Sequence, residues 1–297
     1  MITRQKRREI IQPYLYILPS IAIILFVYFS PIMRAFNDSF YRISSGKRIF
    51  VGIGNYAYLL IKDNIFWIAL FNNLKLLMGI PILVFGSLII AALLYQQIIG
   101  WKLFRIILLI PYILSITVVG IVFDYILRLD GVLNITLEAL YLNALSQNWL
   151  GNPRIAMFSI MGVVIWKEMG FGIILFLARM LSIDTTIFEA ARIDGASWFR
   201  ILFRITIPEL KSVIFFFVII NIINMLSWMF NYVFVMTRGG PMNRTFVLEY
   251  YIYRLAIRFR QFGMASALSV ILFIIAFVFV FLQFIIRSKA MKEEVVY

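Results

Sequence analysis

The chain has 297 residues, of which 63% are hydrophobic and 14% charged, with a formal net charge of +14. A soluble domain carries about 45–50% apolar residues, so this excess marks a polytopic membrane protein. Cysteine and histidine are both absent, which excludes disulfides, thiolate metal sites, the commonest metal ligand and the commonest general base. No metal site and no catalytic residue is expected. The basic residues sit in loops beside apolar runs, so membrane lipid headgroups, not nucleic acid, are the expected partner of the positive charge.

At the N-terminus, Arg4, Lys6, Arg7 and Arg8 precede an apolar run that continues to Ala35. The run is too long for a cleaved signal core and no small-x-small site follows, so it reads as a retained first span. Six spans are drawn: Tyr14 to Phe36, Phe66 to Tyr95, Leu103 to Leu127, Ile155 to Arg179, Pro208 to Met236 and Met264 to Ile286. Each can cross about 30 Å of hydrocarbon at about 1.5 Å per residue. Each must be helical, because lipid offers no partner to a strand's backbone outside a closed barrel. The expected fold class is therefore all-α, with six spans over residues 14–287 between an N-tail, 1–13, and a C-tail, 288–297. With the N-terminus inside, 14 basic residues lie on its side of the membrane and 12 on the other. The first helix often dominates orientation, which puts both termini in the cytoplasm.

Four ionisable residues fall inside spans: Lys75, Asp124, Lys167 and Glu168. Each costs about 2.5–3.5 kcal/mol to insert, so each faces protein or water. Lys75 lies near the outer third of span two and can snorkel. Lys167 and Glu168 are adjacent and diverge by about 100° on a helix, so no direct pair is expected. They pair with another span or line a solute path.

The segment from Leu181 to Ile207 is too polar to cross and too apolar for a plain linker. It reads as two short amphipathic helices. Asp184 is placed to cap the first, with Ile187, Ala190 and Ala191 on one side. Gly195 can close it in a left-handed conformation. Ser197 is placed to cap the second, which carries Phe199, Leu202 and Phe203. Thr206-Ile207-Pro208-Glu209 reads as a capping box opening span five. Within that span Asn221, Asn224, Met225, Trp228, Asn231 and Tyr232 recur at helical spacing. Amides beside an aromatic face suit a sugar's hydroxyls and apolar ring face, and they also suit packing between helices. Gly239-Gly240-Pro241 reads as a turn after that helix.

Glu189-Ala190-Ala191, three residues, Gly195, nine residues, then Ile205-x-Ile207-Pro208 resembles the EAA loop of binding-protein-dependent ABC transporter permeases. Ile207 stands where the family has leucine. The run EAARIDGA, Glu189 to Ala196, resembles the sugar-importing branch. So do Thr237-Arg238-Gly239-Gly240-Pro241, Phe50-Val51-Gly52 with Asn55-Tyr56, and Asn72-Asn73-Leu74, which resemble segments of maltose- and glycerol-phosphate-type permeases. The resemblance implies an ABC importer type I permease fold and half of a translocation pathway for a sugar or oligosaccharide. It implies ABC ATPase subunits, a second homologous permease subunit and an extracellular solute-binding protein as partners. The loop would be a coupling helix in a cleft of the ATPase. There Ala190, Ala191 and Gly195 would allow close approach, Glu189 and Arg192 would supply rim contacts, Asp194 would hold the turn, and Ala196 would end the motif. An interfacial helix lying on lipid is the competing reading of that loop. The span-five stripe would contribute to the sugar site, and the Gly239-Gly240-Pro241 turn would lie near the binding protein.

No G-x-x-x-x-G-K-[ST] phosphate loop occurs, and Ser45-Gly46-Lys47 lacks the upstream glycine. The chain is therefore expected to hold no cofactor and to catalyse nothing by itself, with ATP and magnesium bound by the partner ATPase. An ion-driven secondary transporter or channel, with Asp124 and Glu168 as a relay, is the alternative function, and a membrane scaffold is a third. Neither gives the loop a task, and no inverted pair of broken spans is apparent.

Overall fold

A computed structural model describes residues 14, 16–44, 46–97 and 99–292. The expected N-tail, 1–13, and residues 293–297 of the expected C-tail lie outside the described residues. The chain divides into two compact units, Met1–Asp63 with Ile252–Ile271, and Asn64–Tyr251 with Leu272–Tyr297.

In the first unit, helix α1 (Tyr16–Asp38) is apolar, and none of its most hydrophobic stretch is buried by the rest of the chain. A helix that is apolar all round and buries nothing in its own chain needs lipid or another chain around it. An antiparallel hairpin follows, β1 (Tyr41–Ser44) and β2 (Lys47–Phe50), with Tyr41 opposite Phe50. This ribbon was not foreseen in an otherwise helical chain. It is fixed by side chains from the turn after it. Asn55 Nδ2 donates to the carbonyls of Ser39 at 2.7 Å and Tyr41 at 2.9 Å, and the Tyr56 hydroxyl donates to Ser39 Oγ at 2.6 Å. The Asn55-Tyr56 pair noted in the sequence is thus the peg of the hairpin.

The second unit holds α2 (Asn64–Tyr95), α3 (Trp101–Ile113), α4 (Ile116–Ile126), α5 (Val132–Ala139) and α6 (Ala156–Met180). The helices that follow are α7 (Thr185–Ile193), α8 (Trp198–Glu209), α9 (Lys211–Met225), α10 (Met229–Met236) and α11 (Leu248–Tyr253). Helix α12 (Phe262–Lys292) begins in the first unit and continues in the second. Helix α2 packs along α6, and the core includes Leu76, Leu83, Leu88, Ile160, Ile173, Phe176 and Phe217, each buried. A Cβ on Gly172 would lie 2.5 Å from Ser87 Oγ and 2.6 Å from the Phe217 ring. Glycine there lets α2, α6 and α9 close on one another, the usual role of small residues between spans.

Helices α1, α2, α6 and the first 27 residues of α12 (Phe262–Ser288) are each long and apolar enough to cross a membrane. Their ends match spans one, two, four and six within a few residues. Spans three and five are not the straight helices expected. Helices α3 and α4 bend by 99° at Leu114-Ser115, and α8 and α9 bend by 73° at Leu210. Pro111 removes one N–H from the last turn of α3, and Leu114 and Ser115 are extended. A second break, Leu226–Trp228, separates α9 from α10.

Candidate functional site

A cavity of about 410 Å³ opens among α3, α4, α6 and the break between α9 and α10. Asn221, Asn224, Met225, Trp228 and Tyr232 line it, together with Tyr112, Ile113, Ile116, Val164, Lys167, Glu168 and Met229. Five of the six residues of the span-five stripe are therefore brought together. Asn231 is not among the lining residues, because the break at Leu226–Trp228 resets the helical phase. Within the residues that line it, the buried Oδ1 of Asn221 and the hydroxyl of Tyr232 have no hydrogen-bond partner among the described residues. Asn221 spends its amide on the Phe217 carbonyl at 2.8 Å. A buried polar atom without a partner is costly, so these two mark the packing behind the cavity wall as polar.

Lys167 and Glu168 do pair directly, Nζ to Oε1 at 3.6 Å, contrary to the helical-wheel expectation. A long lysine stem can swing back toward its neighbour's carboxylate. Lys167 Nζ also donates to the Tyr112 carbonyl at 3.1 Å, one of the groups left open where α3 ends. The two charges thus face the cavity as a neutralised pair and brace the broken span at the same time. Tyr112, Ile113 and Ile116 were missed as lining residues because an unbroken span three gave them no reason to face inward. Pro111 was the available signal. Asp124 holds Arg128 one turn on, at 2.7 Å.

The loop from 181 to 207 is built largely as its local sequence demands. Asp184 caps α7, its carboxylate accepting from the Thr186 N–H at 3.0 Å, and this bond holds the carboxyl below its usual pKa. Gly195 sits at φ +72° with nothing within 4 Å of where a Cβ would be. Ser197 Oγ accepts from the Arg200 N–H at 3.4 Å. Three expectations are corrected. Main-chain bonds close the turn at Asp194, from Asp194, Gly195 and Ala196 back to Ala190, Arg192 and Ala191, and the Asp194 carboxylate makes no hydrogen bond among the described residues. Thr206 is buried mid-helix and caps nothing, so there is no capping box. Glu209 instead pairs with Arg179 at 3.2 Å, tying the last turn of α6 to the end of α8. The inward side of α7 is Phe188, packed against Tyr95 with the rings tilted and their centroids 5.3 Å apart. Ile187, Ala190, Ile193 and Phe199 face outward, beside Glu189 and Arg192.

Beyond α10, the loop 237–247 is pinned by two adjacent amides of α2. Asn72 Nδ2 donates to the carbonyls of Arg244 and Phe246, both at 2.8 Å. Asn73 Oδ1 accepts from the Leu248 N–H at 2.8 Å, and its Nδ2 donates to Glu249 Oε2 at 3.1 Å and the Met225 carbonyl at 3.4 Å. Asn73 therefore joins this loop to the break beside the cavity. Desolvation pushes the Glu249 carboxyl up to about 7, only partly offset by hydrogen bonds from its own backbone and from Asn73.

The model of the binding-protein-dependent transport system inner membrane component matches residues 68–292. The chain belongs to this family. The permease is 34% identical over 287 residues to the probable ABC transporter permease protein YurN of Bacillus subtilis (strain 168), covering 95% of this chain and 97% of that one. It is 36% identical over 285 residues to the lactose transport system permease protein LacF of Rhizobium radiobacter, covering 94% and 95%. Its fold is that of a chain in the crystal structure of a bacterial ABC transporter involved in alginate import, with a TM-score of 0.78 at 24% identity and 96% of both chains covered. The type I importer permease architecture expected from the sequence is thus the permease's own. Membership leaves the ion-driven and scaffold alternatives without support.

Proposed function

We propose that this permease forms half of the pathway of an ATP-driven sugar importer, with its α9–α10 cavity as the solute-facing wall. The observation that carries the reading is the convergence of Asn221, Asn224, Tyr232 and the half-exposed Trp228 on one 410 Å³ cavity. The part-exposed Asn224 amide suits a sugar's hydroxyls, and an indole face suits its apolar ring surface. The neutralised Lys167–Glu168 pair leaves this half of the path without net charge, which favours an uncharged sugar or oligosaccharide. The lactose permease among its relatives supports the same class.

In this reading the 181–207 loop is the handle of a separate ATPase that binds ATP and magnesium. Glu189, Ala190, Ala191, Arg192, Asp194, Gly195 and Ala196 form the contact surface. The outward Ala190 and Ile193 and the Arg179–Glu209 tie at the base support this, because a lever needs an accessible face and a fixed root. The permease is not itself an enzyme. A second permease completes the path, a solute-binding protein delivers the sugar outside, and both termini lie in the cytoplasm. The test is uptake by the reconstituted complex, with lactose as the first probe. Asn224→Ala and Trp228→Ala should cut uptake while the ATPase still co-purifies. Undiminished uptake in both variants, with a transported sugar in hand, sinks the assignment.

A further inference from the structure

A second hollow, of about 1230 Å³, lies along the N-terminal half of α2 and shares no lining residue with the sugar-facing cavity. It runs between the first turns of α2, the chain leading into α6 and the loop after α10. Three cations line it: Lys75, Arg154 and Arg244. None has a carboxylate partner among the described residues. Lys75 Nζ reaches only Asn72 Oδ1, at 3.4 Å. That same Asn72 fastens the main chain of Arg244 through its carbonyl, so one buried amide positions two of the three cations. Apolar side chains stand exposed beside them, among them Phe71, Met78 and Phe158.

Helix arithmetic gives the depth. Lys75 stands twenty residues before Tyr95, at the far end of α2. At about 1.5 Å per residue that is about 30 Å, the thickness of a hydrocarbon core. Arg154 lies just before α6, whose 25 residues cover a similar distance. Both helices therefore put the cations at one membrane boundary, with Met78 and Phe158 just inside it. Positive groups at headgroup level above an exposed apolar wall match an anionic amphiphile in both halves.

We infer that this groove binds an anionic phospholipid, its phosphate held by Lys75, Arg154 and Arg244 and its acyl chain laid along Met78 and Phe158. The bound lipid then bridges α2, the start of α6 and the outer loop. A solute-binding protein is the competing occupant, but apolar side chains below the boundary give it nothing to reach.

Phe158→Trp, on the exposed apolar wall below the cations, supplies a reporter. The assembled transporter, with its partner subunits, is placed in nanodiscs of phosphatidylcholine carrying brominated phosphatidylglycerol or brominated phosphatidylcholine. Brominated phosphatidylglycerol should quench the emission that Phe158→Trp adds more strongly than brominated phosphatidylcholine does. Each cation neutralised should reduce the preference about fivefold. Arg154→Gln, whose side chain has no partner to lose, is measured beside the triple variant K75Q/R154Q/R244Q, so that a folding defect in the triple is recognised. Equal quenching by the two lipids overturns the proposal. So does an undiminished preference in Arg154→Gln. Lost stimulation by the binding protein with lipid preference intact assigns the patch to protein docking and overturns it too.

Discussion

The two loops that flank span five are built on opposite plans. The 181–207 loop before it is held by bonds between near neighbours: Asp184 to Thr186, Ser197 to Arg200, and the main-chain closure around Gly195. The 237–251 segment after it is held from a distance, by Asn72 and Asn73 more than 150 residues earlier in the chain. The first keeps its outer face free because its own turns satisfy its backbone. The second spends the amides of another helix and becomes part of the core. A loop with a free outer face can be locally determined, whereas a loop packed beside the α9–α10 break must be registered to it.

The sharpest way to break this contrast is Asn73→Ala. It strips partners from the Leu248 N–H, the Glu249 carboxylate and the Met225 carbonyl at once. Buried groups left unpaired cost about 1–3 kcal/mol each, so a loss of about 3 kcal/mol is expected. Hydrogen exchange should accelerate in 237–251 and stay unchanged in 181–207. Equal acceleration in both loops would show that the outer loop is not separately fastened.

The second effect is a pH dependence confined to the outer loop. The folded Glu249 carboxyl titrates near 7 against an ordinary value of 4.5. Between those values the folded loop holds a proton that the released loop does not. Its stability is therefore full below about pH 4.5 and declines as pH rises through about 7, by at most about 1.4 kcal/mol per unit. Exchange rates for 248–251 should follow that slope, and Glu249→Gln should flatten it. A slope of the opposite sign, or none, would contradict the enclosed carboxyl.

The same contrast explains what could be read from the sequence. Four spans, the Asp184 and Ser197 caps and the Gly195 turn were legible because each depends on residues within one or two turns. The Asn72-Asn73 clamp was visible only as a motif, since nothing local says which distant carbonyls an amide will find. The breaks at Leu114-Ser115 and Leu226–Trp228 were hidden inside continuous apolar runs. Missing them misplaced Asn231 and concealed Tyr112, and it separated Lys167 from the helix end it satisfies.

Gly195→Val tests the handle. At φ +72° a β-branched residue is strained, and with open space around the Cβ position the cost is purely conformational, about 1–2 kcal/mol. The turn should reshape, and ATP hydrolysis should continue while uptake falls. Gly195→Asn, which tolerates this backbone, should retain most of the uptake. If both variants transport normally, the rigid-lever reading of the loop is wrong.

Asp184→Ala is the mildest probe. The cap satisfies one free N–H at the start of α7, and its removal costs about 1 kcal/mol. That is a small fraction of the membrane domain's stability, so the complex should still assemble. It is a large fraction of what a nine-residue helix contributes on its own, because short helices are marginal without tertiary support. Exchange at Thr186 and Ile187 should therefore rise several-fold with the outer loop untouched. Asp184→Asn, which keeps an oxygen acceptor, should restore protection. If protection is lost equally in both variants, the cap acts through its charge and not through the bond to Thr186, and the local plan of this loop needs revision.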